Sequence, residues 1–295
     1  GLNLTAFELD LFGRIQSLTD AAQNRYFATE AGARATRLVL TGEIANIWAT
    51  YAADRELLGI AERTLAAAER SVSLTRARLV GGVAPRTDLR QAEQALEQAR
   101  ADLARSRAAL AQDVNLLQLL VGAPVPSTLL PTRFAEVEAT YAELPAGIDT
   151  GVLLRRPDVV QAEYQLRAAN ADIGVARALL FPRIGFGGQI GKADGTFGNL
   201  FDAASLNWSL GPTFTFPIFA GGAARANVRL SQAQRELTIA QYERTIQTAF
   251  REVSDALAVR GTIDEQLRAQ RANVEASADN FRLSEARFRG GIDPF

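Results

Sequence analysis

Apolar residues at a strict seven-residue interval are the feature that most constrains how this chain can fold. The first series is Ile44, Tyr51, Leu58, Leu65, Val72 and Leu79. The spacing returns 209 residues later, with one polar member, as Val253, Arg260, Leu267, Val274, Phe281 and Phe288. A seven-residue period keeps one narrow stripe of a helix facing a partner helix, which is typical of coiled-coil packing. The sequence therefore predicts two copies of one long helix.

Each series runs into a double glycine. Leu-Val-Gly-Gly-Val-Ala-Pro occupies 79–85, and Phe-Arg-Gly-Gly-Ile-Asp-Pro occupies 288–294. Helices commonly end on a residue in the left-handed conformation, which glycine adopts without steric cost. We therefore predict a tight turn at the end of each long helix. On this basis the substitution Gly81→Ala is expected to cost about 1 kcal/mol through backbone strain.

The heptads and the prolines divide the helical part of the chain. A long helical hairpin is predicted over 13–122 with its tip at 80–86, since leucines again recur every seventh residue from Leu89 to Leu117. Prolines then break 123–150 into short pieces, which we interpret as a connection. A further helix is predicted over 151–182, followed by the second long helix over 220–295.

The period changes from seven to two in three stretches, which are predicted to be β-strands. The first is 1–12, where the alternation slips near Thr5–Ala6, as expected for a β-bulge. The others are 183–192 and 206–219, which form a predicted hairpin over 183–219. The resulting fold class is α+β, mostly α, with a two-fold internal repeat. Both copies are expected to be truncated, so we interpret the chain as a fragment of a larger two-repeat protein.

The hairpin strands are apolar on one face and small or polar on the other. The apolar set is Phe186, Trp208, Phe214 and Phe216. The polar set is Gln189, Asn207, Thr213 and Thr215. Strands of about ten residues with this alternation suit a membrane barrel, with the first set facing lipid and the second facing the lumen. The same pattern is also typical of an ordinary hairpin over a soluble core, and periodicity alone does not separate the two.

Composition excludes several classes of function. The 295 residues carry a net charge of −1 and contain no cysteine and no histidine. Disulfides, thiolate chemistry and the usual zinc and general-base arrangements are therefore excluded, and neither an enzyme nor a bound cofactor or metal is expected. The glycines of 185–191 miss the spacing of a dinucleotide-binding loop. The near-neutral charge gives no reason to expect nucleic acid as a partner.

Three stretches of sequence resemble one known family. They are Leu-Leu-Arg-Arg-Pro-Asp-Val-Val-Gln-Ala-Glu at 153–163, Ala-Ala-Asn-Ala-Asp-Ile-Gly-Val-Ala-Arg at 168–177, and Phe181-Pro182. Together with Trp208, 216–219 and 242–245, they are similar to the TolC-type outer membrane factors. The most similar branch is that of the efflux lipoproteins that include OprM. The resemblance covers essentially the whole chain, and Arg-Arg-Pro-Asp is its most specific part.

The resemblance implies a homotrimeric conduit in the outer membrane of a Gram-negative cell. Each protomer would contribute strand hairpins to one transmembrane β-barrel, and the long helices would form a periplasmic tunnel. Such a conduit is a passive duct for small molecules that works with a periplasmic adaptor (membrane fusion) protein and an inner-membrane pump. The resemblance places adaptor docking at the helix tips. In this chain the tip residues are Val80, Gly81, Gly82, Arg289, Gly290 and Gly291.

A second interpretation belongs to another class of protein. Long heptad helices alone are equally compatible with a soluble coiled-coil scaffold that transports nothing, in which the hairpin is incidental. The hairpin separates the two interpretations. A duct needs its apolar face against lipid, whereas a scaffold has no use for Trp208, Phe214 and Phe216 on its outside.

Overall fold

The computed structural model describes residues 2–140, 151–192 and 206–289, and the chain is mostly helical with three strands in this part. The first half contains β1 (Leu2–Leu9), α1 (Arg14–Val80), α2 (Arg86–Val121), a short 3-10 turn (Ser127–Leu129) and α3 (Phe134–Glu138). The second half contains α4 (Gly151–Leu154), α5 (Pro157–Ala178), β2 (Arg183–Lys192), β3 (Leu206–Thr215) and α6 (Ala223–Arg289). The predicted α+β, mostly α fold class is thus confirmed. Gly290, Gly291 and part of the predicted 123–150 connection lie outside the described residues.

The internal repeat is visible in the two long helices. Both α1 and α6 contain 67 residues. Each is preceded by a glycine with positive φ, Gly13 (φ 70°) and Gly222 (φ 82°). The carbonyls of these glycines accept equivalent hydrogen bonds, from the N–H of Ser17 at 2.9 Å and from that of Ala226 at 3.0 Å. The repeat therefore includes the backbone geometry that starts each helix, as well as the heptads.

The chain divides into two compact units. The first contains Gly1–Ala35 and Asp149–Ser254, and the second contains Thr36–Ile148 and Asp255–Phe295. In the second unit, residues of the predicted heptads on α1 and α2 are buried, namely Tyr51, Val72, Leu103 and Leu117. The later series on α6 behaves differently. Val253, Leu267, Val274 and Phe281 are exposed in this chain.

In the first unit, α1 and α5 approach closely because the residues between them are small. Ala21, Ala28 and Ala31 of α1 are buried, as are Ala162, Ala169 and Ala176 of α5. A Cβ added at Gly174 would come within 2.5 Å of the Ser17 Oγ atom. At that distance the Ser17 side chain would have to shift, so glycine at this position is what allows the two helices to pack this closely.

The three strands form one antiparallel sheet in the order β1-β2-β3. Leu4 pairs with Gly188 and Phe7 with Phe186, so β1 carries one extra residue between these pairs. The β-bulge predicted near Thr5–Ala6 is therefore present. β3 ends at Thr215, four residues before the predicted end, because its partner at that point is Arg183, the first residue of β2.

None of the helices in the described part of the chain contains an 18-residue stretch that is apolar enough to cross a membrane.

The first helix turn uses only one of its two glycines as the left-handed residue. Gly82 has φ +75°, whereas Gly81 has no positive φ. The Gly82 N–H donates to the carbonyl of Leu79, and the Val83 N–H donates to that of Arg78, both at 3.0 Å. This pair of bonds is a Schellman motif, which satisfies carbonyls at the helix end. The prediction that alanine at Gly81 would be strained is therefore wrong. The position where an L-residue would be strained is Gly82.

We predict that Gly82→Ala lowers the free energy of unfolding by about 1–2 kcal/mol, because an L-residue must then adopt the left-handed conformation. Gly81→Ala is the matched control. Its added Cβ would lie 3.5 Å from the Ala77 carbonyl oxygen, an ordinary contact, so little change is expected. Urea-induced unfolding followed by circular dichroism measures both variants. An equal loss of stability in the two variants would contradict this assignment.

Candidate functional site

The sheet has one apolar face that runs across all three strands. Residues paired across the strands share a face. One row contains Phe7, Phe186 and Pro212, and the next contains Leu9, Ile184 and Phe214. Two further rows on β2 and β3 are Gly188 with Leu210 and Ile190 with Trp208. Trp208 is 71% exposed and Phe214 is 69% exposed. The chain therefore leaves a continuous apolar surface uncovered.

The opposite face carries small and polar residues. Its rows include Glu8, Gly185 and Thr213; Gly187 and Gly211; Gln189 and Ser209; and Arg183 and Thr215. Gln189, Thr213 and Thr215 are exposed on this face. Of the residues singled out from the sequence, Phe186, Trp208 and Phe214 thus lie on one face of the strands, and Gln189, Thr213 and Thr215 lie on the other. Phe216 is exposed but lies just past the end of β3.

Charged groups hold the joint between β1 and α1. The Arg14 guanidinium donates to both carboxylate oxygens of Glu8, at 2.6 and 2.5 Å. The Asp10 carboxylate accepts the backbone N–H of Gln16 at 2.8 Å. A carboxylate at a helix N-terminus satisfies a free N–H group and interacts favourably with the helix dipole. This joint is therefore fixed by side chains from both elements.

The first tip exposes apolar residues beside its glycines. Val80, the last residue of α1, is 86% exposed, and Val83 is 69% exposed. Near the tip, the Glu93 carboxylate of α2 forms ion pairs with two guanidinium groups. One is that of Arg76 in α1, at 3.4 Å, and the other is that of Arg90 in α2, at 2.6 Å. The second tip is described only up to Arg289, which ends α6.

An ion-pair network surrounds Arg156, in the stretch that carried the family resemblance. Its guanidinium donates to Asp158 Oδ2 at 2.9 Å and to Glu252 Oε2 of α6 at 2.7 Å. Asp158 also accepts the N–H of Val159 at 3.0 Å, in the first turn of α5. The hydrogen bonds from Arg156 hold the pKa of Asp158 below its usual value. Arg156 thus joins the start of α5 to α6.

Sequence reasoning missed Glu252 as a partner of Arg156. The two residues are 96 positions apart, and Glu252 is one of several acidic residues on a long helix, so no local pattern marks it. Beside this network, Leu153, Val159 and Ala249 form a buried cluster against Tyr242 and Ile246. The specific Arg-Arg-Pro-Asp stretch therefore serves helix packing in this structure.

We predict that Arg156→Ala lowers the free energy of unfolding by about 1 kcal/mol at neutral pH, since partly exposed ion pairs are each worth up to about that amount. Because the pKa of Asp158 is lowered in the folded state, its contribution is present above the ordinary value of 3.8 and is lost as the pH falls through the folded pKa. The difference from wild type should therefore shrink in acid. Urea unfolding at pH 7 and pH 3 measures it.

Arg155→Ala is the matched control for this prediction, since Arg155 is the exposed neighbour of Arg156. A smaller effect, with little dependence on pH, is expected there. If both alanine variants behave alike at both pH values, the network around Arg156 does not contribute as the structure indicates.

Comparison with known proteins identifies similar sequences over nearly the whole chain. Residues 1–123 and 151–294 match the family described as "Outer membrane efflux protein". The probable efflux pump outer membrane protein TtgC of Pseudomonas putida is 43% identical over 293 residues, covering 99% of this chain and 60% of that protein. The outer membrane protein OprJ of Pseudomonas aeruginosa is 41% identical, covering 99% of this chain and 61% of OprJ. The chain thus spans about three fifths of the length of these relatives.

Solved structures show the same fold. A membrane protein from Pseudomonas aeruginosa superposes with a TM-score of 0.91 at 41% identity, covering 99% of this chain and 67% of that one. The open state of the MtrE outer membrane channel of Neisseria gonorrhoeae gives a TM-score of 0.85 at 34% identity, covering 99% of this chain and 65% of that one.

Proposed function

This chain belongs to the outer membrane efflux protein family, and on that premise we propose that it forms part of a passive outer-membrane duct for small molecules. The duct would act as one component of a tripartite export system, together with a periplasmic adaptor protein and an inner-membrane pump. The proposed role is to provide a passage for small molecules, and we assign no enzymatic step to the protein. Relatives named for toluene and antibiotic efflux support small molecules as the cargo.

The observation that carries this proposal is the two-faced sheet. A mainly apolar face on one side and small or polar residues on the other suit a wall between lipid and water. The same observation disfavours a soluble scaffold. In a scaffold the exposed rings of Trp208 and Phe214 would face water and would have no binding partner to explain them.

The proposed assembly is a homotrimer. A sheet of three strands has two edges, and unpaired backbone groups in hydrocarbon cost several kcal/mol each. Strands from neighbouring copies would pair these edges and close a barrel. In that arrangement Phe186, Trp208 and Phe214 face lipid, with Phe216 at the membrane boundary of β3. Gln189, Asn207, Thr213 and Thr215 face the lumen.

We predict that Phe214→Arg impairs assembly whereas Thr213→Arg is tolerated. The two residues are neighbours on β3 but lie on opposite faces of the sheet. Arginine on the lipid face costs up to about 2–4 kcal/mol near mid-membrane, and it costs little in a water-filled lumen. The amount of trimer in outer-membrane fractions, read on a semi-native gel, compares the two variants. Equal trimer levels for both would favour the scaffold.

We also propose that the helix tips are the docking surface for the adaptor. Val80, Gly81 and Gly82 form the first tip, and Arg289, Gly290 and Gly291 are the residues that the sequence predicts for the second. The left-handed φ of Gly82 explains one glycine without any partner, whereas Gly81 carries no such constraint. A turn with little side-chain bulk allows the backbone of a partner to approach closely, and the exposed Val80 and Val83 would give that partner apolar contacts.

For this docking surface we predict that tryptophan at both Gly82 and Gly291 abolishes export while the trimer still reaches the outer membrane. Alanine at the same two positions is the matched control, since at Gly82 it introduces the same backbone strain without the bulk. Accumulation of a fluorescent drug in cells is measured beside the trimer level. Normal export by the tryptophan variant, at a normal trimer level, would refute docking at the tips.

A further inference from the structure

Two charged residues lie on the polar face of the sheet, at the end where the strands join the helices. Glu8 belongs to the row that contains Gly185 and Thr213. Arg183, the first residue of β2, pairs with Thr215 on the same face. Among the strand residues whose side chains the structure describes, the other members of this face are glycine, serine, threonine and glutamine. Charge on this face is therefore concentrated at one end.

The charge of Glu8 is already paired. The Arg14 guanidinium donates to both of its carboxylate oxygens, at 2.6 and 2.5 Å. Arg183 is exposed, and no carboxylate among the described residues forms an ion pair with it. The Glu8–Arg14 pair therefore adds little net charge to the polar face, whereas Arg183 adds one positive charge.

Packing on both sides fixes the backbone position of Arg183. Phe181, in the turn before β2, stacks on Phe12, in the turn before α1, with ring centroids 4.5 Å apart and planes at 9°. On the other side of Arg183, Ile184 pairs with Leu9 of β1. Two neighbouring joints between strand and helix are thus tied together beside the arginine, so its place at the end of the sheet is well defined.

The polar face next to Arg183 has little side-chain bulk. Gly185, Gly187 and Gly211 belong to the following rows of this face and carry no side chain. Space along this part of the sheet is therefore open, and the guanidinium group borders it. A fixed charge in a passage with low-dielectric walls acts on ions over a distance comparable to the Debye length.

We propose that Arg183 from each copy of the trimer forms a basic ring at the helix end of the barrel lumen, and that this ring favours the passage of anions over cations. The inference rests on the proposed function, because it requires the polar face to line a lumen. Neighbouring copies are part of the site, since one arginine borders only part of the circumference. Rings of basic side chains are a known way to build anion selectivity into a pore.

Ion selectivity of the purified trimer in planar bilayers of neutral lipid tests the proposal. The reversal potential across a gradient of dilute KCl is measured for wild type and Arg183→Gln. We expect the permeability ratio of Cl⁻ to K⁺ to fall at least about twofold in the variant, the factor that Coulomb's law gives for one unit charge acting on an ion roughly 8 Å away in water. At about 1 M KCl the Debye length is about 3 Å, so the difference should nearly vanish.

Three further variants complete the experiment. Arg183→Lys keeps the charge and should keep the wild-type ratio. Lys192→Gln removes the same charge from the far end of β2, on the apolar side of the strand, and should also keep that ratio. Thr215→Glu leaves Arg183 in place and adds a carboxylate at the residue paired with it. This variant should lower the ratio even if Arg183→Gln does not assemble.

Failure of the basic ring and failure of the proposed duct give different results. If the wild-type trimer conducts no ions, the duct is refuted, and the basic ring is refuted with it. If the trimer conducts and Arg183→Gln leaves the ratio unchanged, the basic ring alone is overturned. A lower trimer level with an unchanged ratio also overturns it, since Arg183 would then bind lipid headgroups. A shift that persists at high salt overturns it too, because a change of pore shape would explain that result.

Discussion

Close packing of helices along narrow stripes is the interaction on which the rest of this structure depends. In proteins, most of the stability of a helix comes from packing one face against the rest of the fold, and helix propensity contributes less. In the first unit that face is made of alanines, such as Ala21 and Ala28, whose small side chains bring the neighbouring helix close. In the second unit it is made of larger heptad residues, such as Val72 and Leu103. The buried residues of both units follow the same seven-residue spacing.

Where the spacing of the apolar residues changes from seven to two, the chain forms a sheet with an exposed apolar face instead of buried helix contacts. α5 ends at Ala178, a short turn leads to Pro182, and β2 begins at the next residue, Arg183. Alternation then sorts apolar from polar side chains onto two faces, and the described residues leave Phe214 and Trp208 uncovered. A helical part with buried alanines and a sheet with exposed aromatic rings require different surroundings. That contrast supports the proposal that the sheet faces lipid and the helices lie in water.

Features governed by local pattern could be predicted from the sequence, whereas those governed by distant partners could not. The repeat of the long helices and the bulge near Thr5–Ala6 follow from periodicity and its slip, and both are present. The sequence does not show which glycine of a pair adopts the left-handed conformation, so the strain expected at Gly81 belongs to Gly82. It also gives no sign that Arg156 pairs with Glu252, because that contact depends on how two helices pack.

The two repeats reach the same helix start by different means. In the first, Glu8, Asp10 and Arg14 fix the joint with charged hydrogen bonds. The residues 209 positions later are Pro217, Phe219 and Ala223, none of which has a polar side chain to form those bonds. Yet α1 and α6 have the same length, and each begins after a glycine of positive φ. The backbone turn therefore sets where each helix begins, and the Glu8–Arg14 ion pair adds rigidity to the first joint.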